Sequence, residues 1–283
     1  MILELPSSTA VCVDTLGKGN ELYIIRNSYL ETLLFDRNVI GLNFKRDCLE
    51  SAEIFVRHLQ DELQDNEDLS ELVILSKGLA YQINDAYATI TGNNLPINLL
   101  STRRTSVVND TQVEIDVSYS RIDNPTTSLV IGDTVASGAT IVSALESYGA
   151  HRSLRSVYVL SFAGSLIGAK RISEYCASKG IRLTILYGLA AFGLAPNGFD
   201  LSFLDPATVT EEEYRTRCHQ QFGGQPVSAV GWDFGSQWMA PKKYRQLCWM
   251  EAEKWGLHGH PSLALELRPA DFSLIQGEAA AFA

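Results

Sequence analysis

Residues 10–26 alternate apolar and polar positions around Gly17-Lys18-Gly19. That period predicts a β-hairpin. A glycine-rich phosphate loop is the other reading of those three residues, but no helical pattern follows them. Residues 47–64 (DCLESAEIFVRHLQDELQ) carry apolar positions at helical spacing, with His58 expected to be packed or solvated rather than a ligand. From residue 71 the period switches repeatedly. ELVILS (71–76), LPINLL (95–100), VEIDVSYSRI (113–122), SLVIG (128–132), RSVYVLSF (155–162) and RLTILYGL (182–189) read as strands. LAYQINDAYATI (79–90), ATIVSALESYG (139–149) and SLIGAKRISEYCASKG (165–180) read as helices. Apolar strands alternating with helices of this length predict an α/β chain, its parallel sheet covered on both faces. Such sheets bind ligands at the carboxyl ends of their strands. Chemistry is therefore expected just after Leu75, Leu100, Ile131 and Leu160.

After Gly188 the pattern loosens, and residues 190–240 hold much of the Gly and Pro. Residues 241–257 predict a helix with Pro in its first turn, where Trp249 and Trp255 are packing residues. His258 and His260 lack a third ligand at metal-binding spacing. The alanine-rich tail from Gly277 is expected to fray.

Composition narrows the function. The 283 residues suffice for one large domain or two small ones. A net charge of −10 disfavours nucleic-acid binding, because the chain repels phosphate. No apolar run is long enough to span a membrane, and the N-terminal MILELPSSTAVCV, with Glu4 and no basic region, does not read as a signal peptide. The five cysteines, Cys12, Cys48, Cys176, Cys218 and Cys248, are widely spaced without a CxxC pair. That pattern suggests reduced thiols in a cytoplasmic protein and no structural zinc.

Chemistry concentrates in SLVIGDTVASGATIVSALESYG, residues 128–149. There a strand becomes a helix through Asp133, Thr134, Val135, Ala136, Ser137, Gly138, Ala139 and Thr140. The first N–H groups of a helix lack internal partners, and the helix dipole adds positive potential. A strand-to-helix joint can therefore hold an anion. Gly138 lets the backbone come close, and Ser137 and Thr140 add hydroxyl donors. Asp133 would repel a phosphate touching it, so it suits a ligand that also carries hydroxyls or a metal. A ribose 5-phosphate offers both features. An ordinary connecting turn without a ligand is the other reading.

LVIGDTVASGATI resembles the phosphoribosyl pyrophosphate (PRPP) motif of type I phosphoribosyltransferases: a strand, two adjacent acids, three variable residues, then Ser/Thr-Gly-Gly/Ala-Ser/Thr. The first acid is Gly132 here. Uracil phosphoribosyltransferases also keep only one acid. LVILSKG (72–78) resembles the family's pyrophosphate loop, with Ser76, Lys77 and Gly78 after a strand. STRRTS (101–106) puts Arg103 and Arg104 after the next strand, and the polar stretch beyond them matches the family's mobile loop. AVGWDFGSQ (229–237) resembles the base-reading segment of the uracil enzymes through Asp233, Phe234 and Gly235. Ser236 and Gln237 stand where those enzymes have Asp and Arg.

The resemblance implies a parallel-sheet, phosphoribosyltransferase-like α/β fold with an irregular cap from the N- and C-terminal parts. Residues 1–70 would form a hood or dimer segment, 71–190 the PRPP-binding core and 191–283 the acceptor-binding cap. It further implies transfer of 5-phosphoribose from PRPP to a small heterocyclic acceptor in a cytoplasmic homodimer, without nucleic acid or membrane as partner. Mg²⁺ would bridge ligand oxygens beside Asp133. Lys77, Arg104 and Arg103 would hold pyrophosphate with Ser76 and Gly78. Asp133 would hold the ribose diol, Ser137–Thr140 the 5-phosphate and Asp233–Gly235 the acceptor, with Thr134, Val135 and Ala136 also lining the substrate. Uracil is expected to be a poor acceptor or none, and Gly138→Val is expected to block the phosphate, with the fold surviving if the site is exposed. A non-catalytic PRPP- or nucleotide-binding regulator of the same fold, and an enzyme of specialised metabolism, are the alternatives.

Overall fold

The strands of this chain pair in an order that differs from their order in sequence. In a computed structural model, the structure describes residues 9–13, 16–17, 19–36, 39, 41–64, 68–75, 77–106, 113–194 and 201–222. The first part forms β1 (Thr9–Cys12), β2 (Glu21–Arg26), α1 (Ser28–Phe35), α2 (Gly41–His58) and α3 (Gln60–Gln64). β3 (Leu69–Leu75), a 3₁₀ turn (Lys77–Tyr81), α4 (Ile83–Thr91), β4 (Ile97–Ser106) and β5 (Val113–Arg121) follow. Next come β6 (Ser128–Gly132), α5 (Ala139–Gly149), β7 (Ser156–Ser161), β8 (Gly164–Ser165), α6 (Leu166–Lys179) and β9 (Arg182–Gly188). The last described elements are β10 (Ala190–Leu194), β11 (Leu201–Ser202), β12 (Val209–Thr210) and α7 (Glu212–Phe222).

An eight-stranded sheet runs β1-β2-β9-β7-β6-β3-β4-β5. Every pairing from β2 to β4 is parallel, and the two edge strands are antiparallel to their neighbours. β1 and β2 form the expected hairpin. β2 also pairs with β9, so residues before and after position 71 share one sheet. From β3 the chain winds outward to β4 and β5. It then returns to β6, beside β3, and winds the other way through β7 and β9. The winding direction therefore reverses between β3 and β6. Alternate side chains of β6 face opposite cores: Val130 packs with α1, α2 and α4, while Leu129 and Ile131 pack with α5 and α6.

Several boundaries differ from the sequence expectation. The helix expected over 79–90 is broken at Gln82, whose left-handed φ of 50° separates the 3₁₀ turn from α4. β4 continues through STRRTS, because antiparallel β5 pairs with its polar half and satisfies its backbone groups. The sequence also gave no expectation of α1, which Asn27 starts by accepting the Leu30 N–H at 2.9 Å. After Gly188 the chain is more regular than expected. β10 pairs with β11, β12 and β8 in a small second sheet. Phe203 beside that sheet stacks on Phe35 of α1, with centroids 4.8 Å apart. Glu31 of α1 accepts from Tyr214 (3.1 Å) and Arg217 (2.9 Å) of α7. Among the described residues no helix is long and apolar enough to cross a membrane. The helix expected over 241–257, with Trp249, Trp255, His258 and His260, lies outside the described residues.

Candidate anion site at the strand-order reversal

In an open α/β sheet the helices on either side of a winding reversal diverge, leaving a crevice at the strands' carboxyl ends. Here the reversal lies between β3 and β6, two of the four strands after which the sequence placed chemistry. Lys77 and Gly78 follow β3, and Asp133–Thr140 follow β6. The two segments meet directly: a Cβ on Gly78 would sit 3.1 Å from the Gly132 carbonyl oxygen.

The segment after β6 is tied to the chain that follows β7. The Asp133 N–H donates to the Leu160 carbonyl (3.2 Å) and the Val135 N–H to that of Ala163 (3.1 Å). The Ser165 N–H returns a bond to the Val135 carbonyl at 2.8 Å. The Ser165 hydroxyl donates to the Ala136 carbonyl and also accepts the Gly168 N–H at 2.8 Å, capping α6. These bonds bury Asp133, Val135 and Gly138 and leave Thr134, Ala136, Ser137, Ala139 and Thr140 half-buried. One carboxylate oxygen of Asp133 accepts the Thr134 N–H at 2.8 Å.

Gly138 begins α5 with a left-handed φ of 74°, and no side chain caps the helix. The first N–H groups of α5 therefore receive no side-chain acceptor from the capping position, as an anion site requires. Gly138 has a second reason to lack a side chain. A Cβ there would lie 2.6 Å from the carbonyl oxygen of Gly168 on α6, where the two backbones cross. The exposure on which survival of the fold in Gly138→Val depended is absent: the position is buried against backbone.

The missing first acid also has a structural cause. Gly132 follows Ile131 on β6 and so faces the side occupied by α2 and α4. A Cβ there would fall 2.5 Å from the Cβ of Tyr81. Tyr81 is fully buried, stacks on Phe162 with centroids 4.1 Å apart, and accepts the Phe162 N–H at 3.2 Å. Its hydroxyl also bonds the Thr134 hydroxyl at 3.2 Å. Burial, and then the charge of Asp133, raise the Tyr81 phenol well above its ordinary range, so it stays neutral. Periodicity counted Tyr81 only as a helix position. Ser165, Phe162 and Gly168 likewise carried no local signal of a place at this joint.

Arg103 and Arg104 lie within β4, opposite Asp116 and Ile115 of β5, rather than in a loop after the strand. The Arg103 side chain is exposed. Ser76, Asp233, Phe234 and Gly235 lie outside the described residues.

Among the described residues no group of three His, Cys, Asp or Glu side chains is placed to hold a metal. Asp133, with one oxygen engaged by Thr134, offers a single carboxylate. That donor set fits Mg²⁺ arriving with phosphate oxygens and water, since the ion keeps most of its ligands from those sources.

No protein-family model matches the chain, and no curated protein matches it. Similar solved structures include the AQ2163 protein from Aquifex aeolicus, 17% identical over 60% of this chain and 86% of that one, with a TM-score of 0.48. Adenine phosphoribosyltransferase from Leishmania donovani is 13% identical over 63% and 86%, with a TM-score of 0.40. A hypoxanthine phosphoribosyltransferase from Staphylococcus aureus is 13% identical over 52% and 77%, with a TM-score of 0.39. Type I phosphoribosyltransferases thus recur among the structures this chain resembles.

Proposed function

We propose that the chain is a phosphoribosyltransferase that moves 5-phosphoribose from PRPP to a ring nitrogen of a heterocyclic acceptor and releases pyrophosphate. The observation that carries this reading is the joint at Asp133–Thr140. It combines an uncapped helix N-terminus, three half-buried hydroxyl residues and one carboxylate at the sheet's winding reversal. The combination suits a ligand with a phosphate at one end and hydroxyls at the other.

In this reading Ser137, Thr140 and the first N–H groups of α5 bind the 5-phosphate. Asp133 accepts from the ribose hydroxyls. Lys77, Arg103 and Arg104 neutralise pyrophosphate, and the segment around Asp233–Gly235 reads the acceptor. As the bond from the anomeric carbon to pyrophosphate breaks, pyrophosphate keeps the electron pair and the sugar becomes oxocarbenium-like. The acceptor nitrogen then bonds to that carbon through its lone pair and releases its ring proton to solvent. Such a reaction needs placement and a fixed negative charge near the sugar more than a strong base. Mg²⁺ bound beside Asp133 would supply charge neutralisation for the phosphate oxygens.

The test is a screen of uracil, other nucleobases and larger heterocycles with PRPP and Mg²⁺, reading pyrophosphate release. Release with at least one acceptor is expected, with uracil poor. Tight PRPP binding without turnover of any acceptor would favour the non-catalytic regulator, and absence of PRPP binding would remove both readings.

A further inference from the structure

Gly132 and Tyr81 form a matched pair. The ring fills the space that a side chain at 132 would need, 2.5 Å from Tyr81 Cβ and 2.7 Å from Cγ. Tyr81 also holds its place at some cost. The residue after it, Gln82, adopts a left-handed φ of 50°, which costs a non-glycine residue about 1 kcal/mol. The Gln82 amide anchors this turn by donating to the Lys45 carbonyl of α2 at 2.7 Å. Strain retained at one residue directs attention to what it positions.

Tyr81 reaches the candidate site through one relay. Its hydroxyl bonds Thr134 Oγ1 at 3.2 Å, and the Thr134 N–H donates to Asp133 Oδ1 at 2.8 Å. At the other side the phenol oxygen is fixed by the Phe162 N–H at 3.2 Å, and the ring by a near-parallel stack at 13°. A rigid, neutral polar group therefore stands behind the turn that carries the joint's single carboxylate.

We propose that Tyr81 is a positioning residue for the sugar end of the ligand. It occupies the slot left by Gly132 and, through Thr134, sets the orientation of Asp133. The inference rests on the phosphoribosyl reading above and deepens it. Orientation of Asp133 governs contacts to sugar hydroxyls and leaves those to free pyrophosphate untouched. The two ends of PRPP should therefore respond differently.

The experiment is calorimetric titration of ribose 5-phosphate and, separately, of pyrophosphate, both without Mg²⁺, so that no ion links Asp133 to pyrophosphate. The proteins are wild type, Tyr81→Phe, Thr134→Val and the double variant, each checked for folding by circular dichroism. Each single substitution should weaken ribose 5-phosphate about tenfold, as expected for one lost hydrogen bond at a buried polar relay. Pyrophosphate affinity should not change. The double variant should lose no more than either single one, because both remove the same link. Unchanged ribose 5-phosphate affinity in folded Tyr81→Phe protein would overturn the inference while leaving the phosphoribosyl reading in place. Equal losses for both ligands, or losses that add in the double variant, would also overturn it. If Tyr81→Phe does not fold, the half-buried Thr134→Val carries the same comparison. Wild-type protein that binds neither ligand would remove the phosphoribosyl reading, and this inference with it.

Discussion

Gly138 and Gly168 bring the start of α5 and the first turn of α6 into backbone contact: a Cβ on Gly138 would lie 2.6 Å from the Gly168 carbonyl oxygen and 3.1 Å from its Cα. The crossing sets how far the α5 N-terminus stands from α6, and so the shape of the candidate anion site. Its consequence is that Gly138→Ala should lower stability by roughly 3 kcal/mol, combining left-handed strain with overpacking against backbone. Urea denaturation measures this. Ser137→Ala and Thr140→Val are the cleaner probes of phosphate binding, because both side chains are half-buried. Each should weaken ribose 5-phosphate about tenfold with the denaturation midpoint unchanged. A stable Gly138→Ala protein would show that the crossing relaxes at little cost.

Restoring the absent acid should fail. Gly132→Asp would place a carboxylate in the volume of the Tyr81 side chain, on the buried side of β6. Overpacking and charge burial together should cost more than about 3 kcal/mol. A Gly132→Asp protein with wild-type thermal stability would mean that Tyr81 swings aside freely.

Asp133→Asn should keep the turn, since an amide oxygen can still accept the Thr134 N–H. The charge is lost. Pyrophosphate release should therefore fall on the order of 10²-fold, comparable with removing one strong transition-state contact. Steady-state assays with the best acceptor from the screen check this. Wild-type turnover by the Asn variant would exclude a charge role for Asp133.

Glu71 supplies a test against pH. It is buried on β3, and burial, reinforced by the charge of Asp85, pushes its carboxyl from 4.5 to about 7. A carboxyl with a raised folded pKa binds its proton more tightly folded than unfolded. Its stabilising contribution is thus complete below 4.5 and is lost as pH rises through about 7. That interval corresponds to roughly 3 kcal/mol. Asp47 and Glu53, also raised by burial, push in the same direction. Asp68, lowered by its bonds from Thr127, acts below this window. The difference between wild type and Glu71→Gln, measured by denaturation from pH 4 to 8, therefore isolates Glu71. The Gln variant should lose less stability as pH rises. Parallel curves for the two proteins would show that Glu71 titrates normally.

Local pattern determined much of this protein. Short apolar runs marked β3, β6, β7 and β9, and period 3.6 marked α5 with the bounds Ala139–Gly149 that the structure has. The hairpin of β1 and β2 was also legible, and so was the strand-to-helix joint after Ile131. These features depend on residues near one another in the chain, where side-chain alternation and turn chemistry act directly. Other features depend on contacts between distant segments. STRRTS has no apolar alternation, so only its pairing with β5 makes it part of β4. The place of β6 between β3 and β7 decides which two loops share a crevice, and no single segment encodes a strand order. Gly132 looked like a defect in a motif until Tyr81, 51 positions earlier in the numbering, was found in its space. Gly138 looked like a concession to a ligand until Gly168 was found against it. Glycine in a sequence says only that a side chain is missing; what excludes it is settled by the neighbour that tertiary packing brings there.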